Sequence, residues 1–302
     1  MARQKKCDEF YTRFEDIERE LHHYKDHFKD KIIFCNCDDP EYSNFWRYFH
    51  LNFEHFGLKK LITTHYDASK STYKMEYKGG DDNDCSAGIT TPLETNGDFR
   101  SPECMELMEE ADIVATNPPF SLFREYVQQL MEHHKKFLII GSMNAITYQS
   151  IFFLIQKNKV WLGNGFKSGN AYFRVPSDIA SAYARGVYDE TTGLVKFRNC
   201  HWFTNLDIAK RHEKLTLWRQ YSPDEYPKYD NYDAINVDRV ADIPKDYDGV
   251  MGVPITFLDK YNPEQFEILG DSRYHDGKDV ADDINILHGK KLYRRLLIRR
   301  LQ

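Results

Sequence analysis

The sequence predicts a doubly wound α/β fold on a mostly parallel sheet, followed by a C-terminal region of strands and loops. Apolar strands alternate with amphipathic helical segments up to about residue 205. Beyond that point Pro, Tyr and Asp dominate, helical periodicity weakens, and short extended runs such as GVPITFL and FEILG recur. We therefore expect a first domain over residues 1–205 and a second region over residues 206–302.

The first predicted elements form a strand–helix–strand unit, which implies parallel strands. An amphipathic helix comes first, and the strand KIIFCNC follows it. The next helix begins after Ser43, a favourable N-cap, and ends at Gly57. The strand LITTHYD then ends at Asp67. The expected inward residues are Phe14, Ile17, Leu21, Tyr24 and Phe28 in the first helix and Phe45, Phe49, Phe53 and Phe56 in the second.

The alternation continues through the first domain. STYKMEY before GGDDND predicts a hairpin, and Pro102 marks the start of a short helix, PECMELMEEA. The later segments are the strand ADIVATN, the helix LFREYVQQLMEHH, the strand KKFLIIGS, the helix AITYQSIFFLIQKN and the strand VWLG.

Composition narrows the class of protein. The net charge of −6 argues against a uniformly basic nucleic-acid coat, although it allows a local cationic cleft. No run of 18 apolar residues occurs and the N-terminus lacks an apolar signal region, so we expect a cytoplasmic protein without a membrane span. The six cysteines form no CxxC pairs, and we expect buried thiols and no metal site.

The segment Asn117-Pro118-Pro119-Phe120 directly follows the apolar strand DIVAT. Ligands of open α/β sheets bind at the carboxyl ends of strands. An exocyclic amine is a poor nucleophile, and the Asn117 side-chain oxygen and the Pro118 carbonyl are suited to draw its protons out of the ring plane. Phe120 can stack on a planar base. The alternative is an ordinary proline-rich turn, but the placement after a buried strand favours amine methylation.

Three segments carry a resemblance to a known family. ADIVATNPPFSLFREYV looks like motif IV of amino-methyltransferases. Together with FCNCDDPEYSNFWRYF and GVPITFLDKYNPEQFEILG, it resembles the EcoRI-type adenine-specific DNA methyltransferase family, from about residue 8 to residue 270. NPPF alone marks only the wider class, whereas DDPEYSNF is more specific.

The resemblance implies a Rossmann-like fold and methylation of adenine N6 at a short sequence of double-stranded DNA, with S-adenosylmethionine as donor and S-adenosylhomocysteine as product. Two alternatives stay open at this point. One is an RNA or protein-glutamine methyltransferase with the same NPPF chemistry. The other is a non-catalytic DNA-binding protein with a methyltransferase fold.

Several residues are candidates for the cofactor site. The usual glycine-rich loop after the first strand is replaced by Asn36-Cys37-Asp38-Asp39-Pro40, in which Asp38 can meet the methionine ammonium. Asp67 can accept hydrogen bonds from ribose hydroxyls. By resemblance, Asp98 binds the adenine amine with Phe99 beside the ring, and Phe10-Tyr11-Thr12 closes over the methionine end. Asn36 and Asn117 complete the predicted cofactor set.

The last fourteen residues, GKKLYRRLLIRRLQ, hold six Lys and Arg residues and no acid. Two interpretations stay open: a strand with a solvated basic face, and a strand that faces DNA phosphates. The candidate DNA-binding residues are Lys290, Lys291, Arg294 and Arg295. Double-stranded DNA is the expected partner, and the sequence leaves open a cognate restriction endonuclease that acts separately.

Overall fold

The structure is a computed structural model that describes residues 10–68, 71–175, 187–275, 278–279 and 284–301. The chain divides into two compact units. Unit 1 comprises Met1–Ile151 and Leu162–Leu206, and unit 2 comprises Phe152–Trp161 and Asp207–Gln302. The assignment of residues 1–205 to catalysis and of 206–302 to recognition stays a prediction.

The elements of unit 1 follow the predicted order closely. Its helices are α1 (Phe14–Leu21), α2 (Asn44–Leu51), α3 (Phe53–Phe56), α4 (Pro102–Glu110) and α5 (Phe123–Glu132), and α6 (Gln149–Gln156) continues into unit 2. The strands are β1 (Tyr11–Thr12), β2 (Ile32–Cys35), β3 (Lys60–Thr64), β4 (Tyr73–Tyr77), β5 (Ile89–Pro92), β6 (Ile113–Thr116), β7 (Lys136–Ser142), β8 (Trp161–Leu162), β9 (Ala171–Arg174), β10 (Tyr188–Asp189), β11 (Leu194–Phe197) and β12 (Cys200–Thr204). Short 3-10 helices span His22–His27, Phe120–Leu122, Met143–Thr147 and Lys167–Gly169.

The large sheet has the strand order β5-β4-β3-β2-β6-β7-β12-β8. Its core strands β3, β2, β6 and β7 are parallel, whereas β4, β5 and β12 pair in antiparallel fashion. The sheet is therefore mixed, and the expectation of a mostly parallel sheet holds only for its core. The cause at one edge is the connection from β3 to β4, which spans only residues 65–72, too few for a crossover to a parallel strand, and so returns the chain antiparallel.

The order of the core strands creates a topological switch point beside β2. The chain passes from β2 to β3 on one side, and β6 then pairs with the other side of β2. Connections leave the sheet in opposite directions at such a point, so a crevice opens at the carboxyl ends of the strands. The segments that follow β2, β3 and β6 lie at this crevice.

Local sequence signals explain where the helices begin and end. The Ser43 hydroxyl accepts hydrogen bonds from the backbone N–H groups of Phe45 and Trp46, both at 3.1 Å, and so caps α2 as predicted. Gly57 ends α3 in the left-handed conformation, with φ of 62°. Helix α1 is shorter than expected, because the chain continues after Leu21 as a 3-10 helix. Apart from half-buried Phe14, the predicted inward residues of both helices are buried.

A second, antiparallel sheet of unit 1 has the order β1-β9-β11-β10. One of its faces contributes Phe173 and Phe197 to an aromatic cluster, with ring centroids 5.4 Å apart. Phe10 and Phe120 complete this cluster: Phe10 lies 5.7 Å from Phe173 and 4.9 Å from Phe197, and Phe120 lies 6.1 Å from each. The sheet thereby packs on the NPPF segment.

Unit 2 contains a six-stranded sheet with the order β13-β14-β20-β15-β16-β17 and a separate hairpin of β18 and β19. The strands are β13 (Ile235–Asn236), β14 (Met251–Pro254), β15 (Phe266–Asp271), β16 (Tyr274–His275), β17 (Lys278–Asp279), β18 (Ile286–Leu287), β19 (Lys290–Lys291) and β20 (Arg295–Arg300), with 3-10 helices at Ala209–His212, Val240–Asp242 and Ile255–Lys260. Strand β20 lies between β14 and β15. The run KLYRRLLI is thus two strands rather than one.

The α2 cap supports a stability prediction. We expect Ser43→Ala to lower the free energy of unfolding by about 1 kcal/mol, because two backbone donors of a buried helix start lose their acceptor. Urea denaturation monitored by circular dichroism measures the change. Ser43→Thr is the matched control, since it keeps the hydroxyl. A loss as large in the threonine variant would show that packing at this position, and not capping, sets the stability.

Candidate active site

A cavity of about 430 Å³ lies in unit 1 at the carboxyl edge of the parallel strands. Its walls come from the segments after β2, β3 and β6, from the Gly97–Arg100 loop and from the N-terminal strand. The volume falls in the range of cofactor sites. The lining residues are Phe10, Tyr11, Cys37, Asp38, Asp39, His65, Tyr66, Ala68, Gly97, Asp98, Phe99, Arg100, Asn117, Pro119, Ser121 and Leu122.

Asn117 follows directly after β6 and is 9% exposed. Its amide nitrogen donates a hydrogen bond to the Phe10 carbonyl oxygen at 2.6 Å. This bond determines which way the amide points and leaves Oδ1 as the acceptor. Oδ1 is buried and has no hydrogen-bond partner among the described residues. A buried hydrogen-bond acceptor without a partner lowers the stability of the fold by about 1–3 kcal/mol. The Asn117 oxygen is therefore available to accept a hydrogen bond from a bound ligand.

The rest of the NPPF segment starts a new helix. Pro118 is buried, and the Pro119 carbonyl accepts a hydrogen bond from the Leu122 N–H at 3.0 Å. Phe120 begins the 3-10 turn and its ring lies 5.5 Å from Phe10, within the aromatic cluster. Phe120 is absent from the cavity walls. The stacking role expected for it stays a prediction.

Asp38 supplies a buried carboxylate to the cavity. Its side chain is 6% exposed, and Oδ2 has no hydrogen-bond partner among residues that the structure describes. Burial raises the pKa of this carboxyl well above its ordinary value, and the negative charge of Asp39 adds to the rise, while the Ser43 hydroxyl opposes it. A positively charged group at this place would relieve the desolvation of the carboxylate.

The Gly97–Arg100 loop forms another wall. Gly97 has φ of +75°, and a Cβ there would lie 2.0 Å from the His65 carbonyl oxygen, so only glycine fits. Arg100 binds the Asp98 carboxylate through two donors, Nε at 2.8 Å and a terminal nitrogen at 2.6 Å. This guanidinium lowers the pKa of Asp98. The carboxylate therefore stays ionised and held in place at the cavity wall.

Other predicted residues lie away from the cavity walls. Asn36 is fully buried, and its Oδ1 accepts hydrogen bonds from the Cys37 N–H and the Thr64 hydroxyl, both at 2.9 Å. Thr12 is buried and pairs with Phe173 in the small sheet. Asp67 lies beyond the end of β3 and between two lining residues, without lining the cavity itself.

The sequence did not predict several residues of the cavity wall. His65 and Asp39 face each other, with His65 Nε2 3.5 Å from Asp39 Oδ2. Arg100 lies over the Phe99 ring at 5.1 Å. The only sequence signal for these residues was adjacency to Asp38, Asp67 and Asp98, since the contacts join segments distant along the chain. Among the described residues no cluster of three or more His, Cys, Asp and Glu could hold a metal.

The basic C-terminal segment divides into two kinds of residue. Lys290 and Lys291 are exposed on the hairpin of β18 and β19. Arg294 donates from Nε to Oδ2 of buried Asp271 at 2.6 Å. Arg295 lies 3.3 Å from Asn236 Oδ1 and 3.7 Å from Asp238. Both arginines thus stabilise unit 2, and their expected contact with DNA is left as a prediction.

Across the described parts of the chain, no helix is long and apolar enough to cross a lipid bilayer.

Comparisons with known proteins identify the family. The family model described as "Adenine-specific methyltransferase EcoRI" matches residues 1–300. Type II methyltransferase M.EcoRI of Escherichia coli is 47% identical over 314 residues, which cover 99% of this chain and 94% of that protein. Type II methyltransferase M.MpnI of Mycoplasma pneumoniae is 37% identical over 322 residues, covering 100% of this chain and 97% of that protein. A comparison with solved structures finds no match.

These matches extend over nearly the whole length of both proteins. They confirm the resemblance drawn from the NPPF and DDPEYSNF segments, and they favour adenine over protein glutamine as the methylated group. The chain therefore belongs to the EcoRI family of adenine-specific DNA methyltransferases.

Proposed function

We propose that the protein transfers a methyl group from S-adenosylmethionine to N6 of an adenine in a short sequence of double-stranded DNA, after the base is flipped out of the helix. The observation that carries this proposal is the buried Oδ1 of Asn117 at the carboxyl end of β6, which has no hydrogen-bond partner in the described part of the chain. Family membership supports the donor and the base.

The amine of adenine needs help because its lone pair is delocalised into the ring. Asn117 Oδ1 accepts one amine proton, and the Pro118 carbonyl is suited to accept the other. Both contacts draw the protons out of the ring plane and return the lone pair to nitrogen. When bound, the donor would supply a methyl group activated by a positively charged sulfur, and would leave as the neutral thioether S-adenosylhomocysteine. The residues contribute position and electrostatics rather than a strong base.

The cavity walls offer groups for each part of the donor. Asp38 has a buried oxygen, without a hydrogen-bond partner in the described ranges, that fits the methionine ammonium. Asp98, held ionised by Arg100, accepts from the adenine amine, with Phe99 beside the ring. Phe10 and Tyr11 line the cavity and close over the methionine end, whereas Thr12 fastens that segment to the small sheet.

Two other predicted cofactor residues, Asp67 and Asn36, lie outside the cavity walls. Asp67 is next to lining residues and is retained as the ribose contact. Asn36 supports the cofactor site by holding the turn after β2 in place, and not by contacting the methyl donor.

A duplex hides the amine of adenine, so the base must leave the stack at a cost of a few kcal/mol. Phosphate contacts and the pocket offset this cost. Residues 206–302 are the proposed recognition region, and Lys290 and Lys291 are exposed cations within it. The test of the whole proposal is incubation of unmethylated DNA with protein and labelled donor, followed by methylation-sensitive sequencing. Recovery of no N6-methyladenine would contradict it.

The first prediction concerns the amine acceptor. We expect Asn117→Ala to reduce methyl transfer by about 10²–10³-fold or more, because one preorganised acceptor of the reacting amine is lost. Calorimetry should show that S-adenosylhomocysteine affinity falls by at most ~10-fold, which 1.4 kcal/mol represents, since the variant also loses the hydrogen bond that holds the Phe10 segment. Asn83→Ala, at an exposed turn, is the matched control. Activity within tenfold of wild type would remove Asn117 from the mechanism.

The second prediction concerns pH. Binding of the methionine ammonium favours ionised Asp38, whose pKa is raised in the ligand-free protein. Affinity for S-adenosylhomocysteine should therefore rise as pH increases through that raised pKa, and binding should release protons. Calorimetry in two buffers of different ionisation enthalpy counts the protons. Asp38→Asn should bind more weakly and lose this proton release; Asp39→Asn, beside it, should keep the release. Equal proton release from wild type and Asp38→Asn would rule out the assignment.

The third prediction concerns the adenine end of the donor. We expect Asp98→Ala to weaken S-adenosylhomocysteine binding by about 10–100-fold, as for a lost charge-assisted hydrogen bond. The circular dichroism spectrum should stay unchanged, because the half-buried side chain lies at the cavity wall, in a loop outside the helices and strands. Asp84→Ala, at an exposed turn, controls for loss of one negative charge. An unchanged dissociation constant would refute the contact.

A further inference from the structure

The small sheet of unit 1 has two chemically different faces. The pairing register places Tyr11 opposite Arg174 and Lys196 opposite Tyr172. Residues directly opposite each other in an antiparallel pair share a face. The buried face holds Phe173 and the aromatic cluster, whereas these four side chains lie on the other face.

The outer face is cationic and aromatic. Arg13 lies over the Tyr172 ring at 4.7 Å, and the Lys196 ammonium lies over the same ring at 5.8 Å. Buried Asp16 holds Arg13 through an ion pair of 2.8 Å. Arg174 is exposed. We call the set Arg13, Tyr172, Arg174 and Lys196 the cationic sheet face.

Among the described residues, only one of the three cations of this face, Arg13, is paired with an acid. Within the described ranges, Arg174 and Lys196 form no ion pair. The nearest acid in the pairing pattern is Asp189 on edge strand β10, and its carboxylate accepts a hydrogen bond from the Thr191 N–H at 2.9 Å. By contrast, Arg300 near the C-terminus pairs with Asp248 at 2.9 Å.

The face begins at the cavity. Tyr11 lines the cavity and shares its side of the sheet with Arg174. A flipped base stays attached to its own sugar, so the phosphates on either side of it must lie at the mouth of the site. Bringing these phosphates to a chain of net charge −6 requires local cations. The cationic sheet face places cations beside the mouth.

We infer that the cationic sheet face binds the phosphates that flank the target adenine, on the strand being methylated. The inference rests on the proposed function. Arg174 and Lys196 lie diagonally across β9 and β11, with Cα atoms roughly 7–8 Å apart, and so reach different phosphates. The Tyr172 ring contacts both Arg13 and Lys196. These contacts position the DNA and carry no sequence information.

The test is the double variant Arg174→Gln/Lys196→Gln. Binding to a fluorescent duplex of about 25 base pairs that contains the sequence methylated by wild type is measured by anisotropy over a series of salt concentrations. Loss of two phosphate contacts should reduce the salt slope by ~1.8, about 0.9 for each contact. The methylated sequence should not change.

The matched control is Lys29→Gln/Lys59→Gln. Both lysines are exposed and lie before β2 and β3, at the amino ends of the parallel strands and thus at the edge opposite the cavity. The control removes the same charge and should leave the slope unchanged. Equal loss of slope in both double variants would show a net-charge effect and overturn the inference.

Further outcomes separate this inference from the proposed function. S-adenosylhomocysteine affinity and thermal unfolding should match wild type, since neither residue lines the cavity. If the double variant is unstable, each single variant should lower the slope by ~0.9. An unchanged slope in a folded variant of a wild-type protein that methylates DNA overturns the cationic sheet face alone. A wild-type protein that methylates no DNA overturns the proposed function.

Discussion

The hydrogen bond from the Asn117 amide nitrogen to the Phe10 carbonyl organises the site. It joins the motif after β6 to the N-terminal segment, 107 residues away, and leaves Asn117 Oδ1 without a partner among the residues that the structure describes. Because a buried partnerless acceptor is unfavourable by about 1–3 kcal/mol, the surrounding packing must hold it. Phe10 and Phe120 do so within one aromatic cluster with Phe173 and Phe197. The same packing orders the segment expected to close over the donor.

The turn after β2 has an unusual sequence and a left-handed residue, Cys37. Methyltransferase-like sheets usually have glycines there, whereas this chain has Asn36-Cys37-Asp38. Cys37 adopts φ of +59°, a left-handed conformation that is costly for a residue with a Cβ. The Asn36 side chain offsets the cost by accepting from the Cys37 N–H and the Thr64 hydroxyl. Thr116 also donates to the Asn36 carbonyl. One side chain thereby ties the ends of β2 and β3 and presents Asp38 to the cavity.

The arginines of the chain fall into paired and exposed residues, and composition alone does not tell them apart. In unit 2, Arg294 and Arg295 are bound by Asp271, Asn236 and Asp238, so these arginines support a central strand. In unit 1, the exposed charge of Arg174 lies on an outer sheet face beside the cavity. Three of the six cations in the densest basic run, Arg294, Arg295 and Arg300, are thus paired with acids of unit 2.

The sequence by itself determined the features that depend on neighbours along the chain. Periodicity located the helices and core strands, Ser43 and Gly57 marked helix ends, and NPPF after an apolar strand identified amine methylation. Those signals are local, because capping, turn conformation and amphipathicity act within a few residues. The turn signal after STYKMEY also predicted the antiparallel pair of β4 and β5. The antiparallel pairing of β4 with β3 and of β12 with β7 was not predicted, since it depends on how the connections run.

Only the tertiary structure decided how Asn117 is oriented, which acids reach the cavity and which arginines are paired. Asp38 and Asp98 line the cavity while Asn36 and Asp67 do not, although all four follow or lie near strand ends in the sequence. Likewise Arg294 and Arg295 look alike in the sequence, yet each meets a different acid across the sheet. These outcomes depend on strand register and on contacts between distant segments, because a shift of one residue in register turns a side chain to the opposite face.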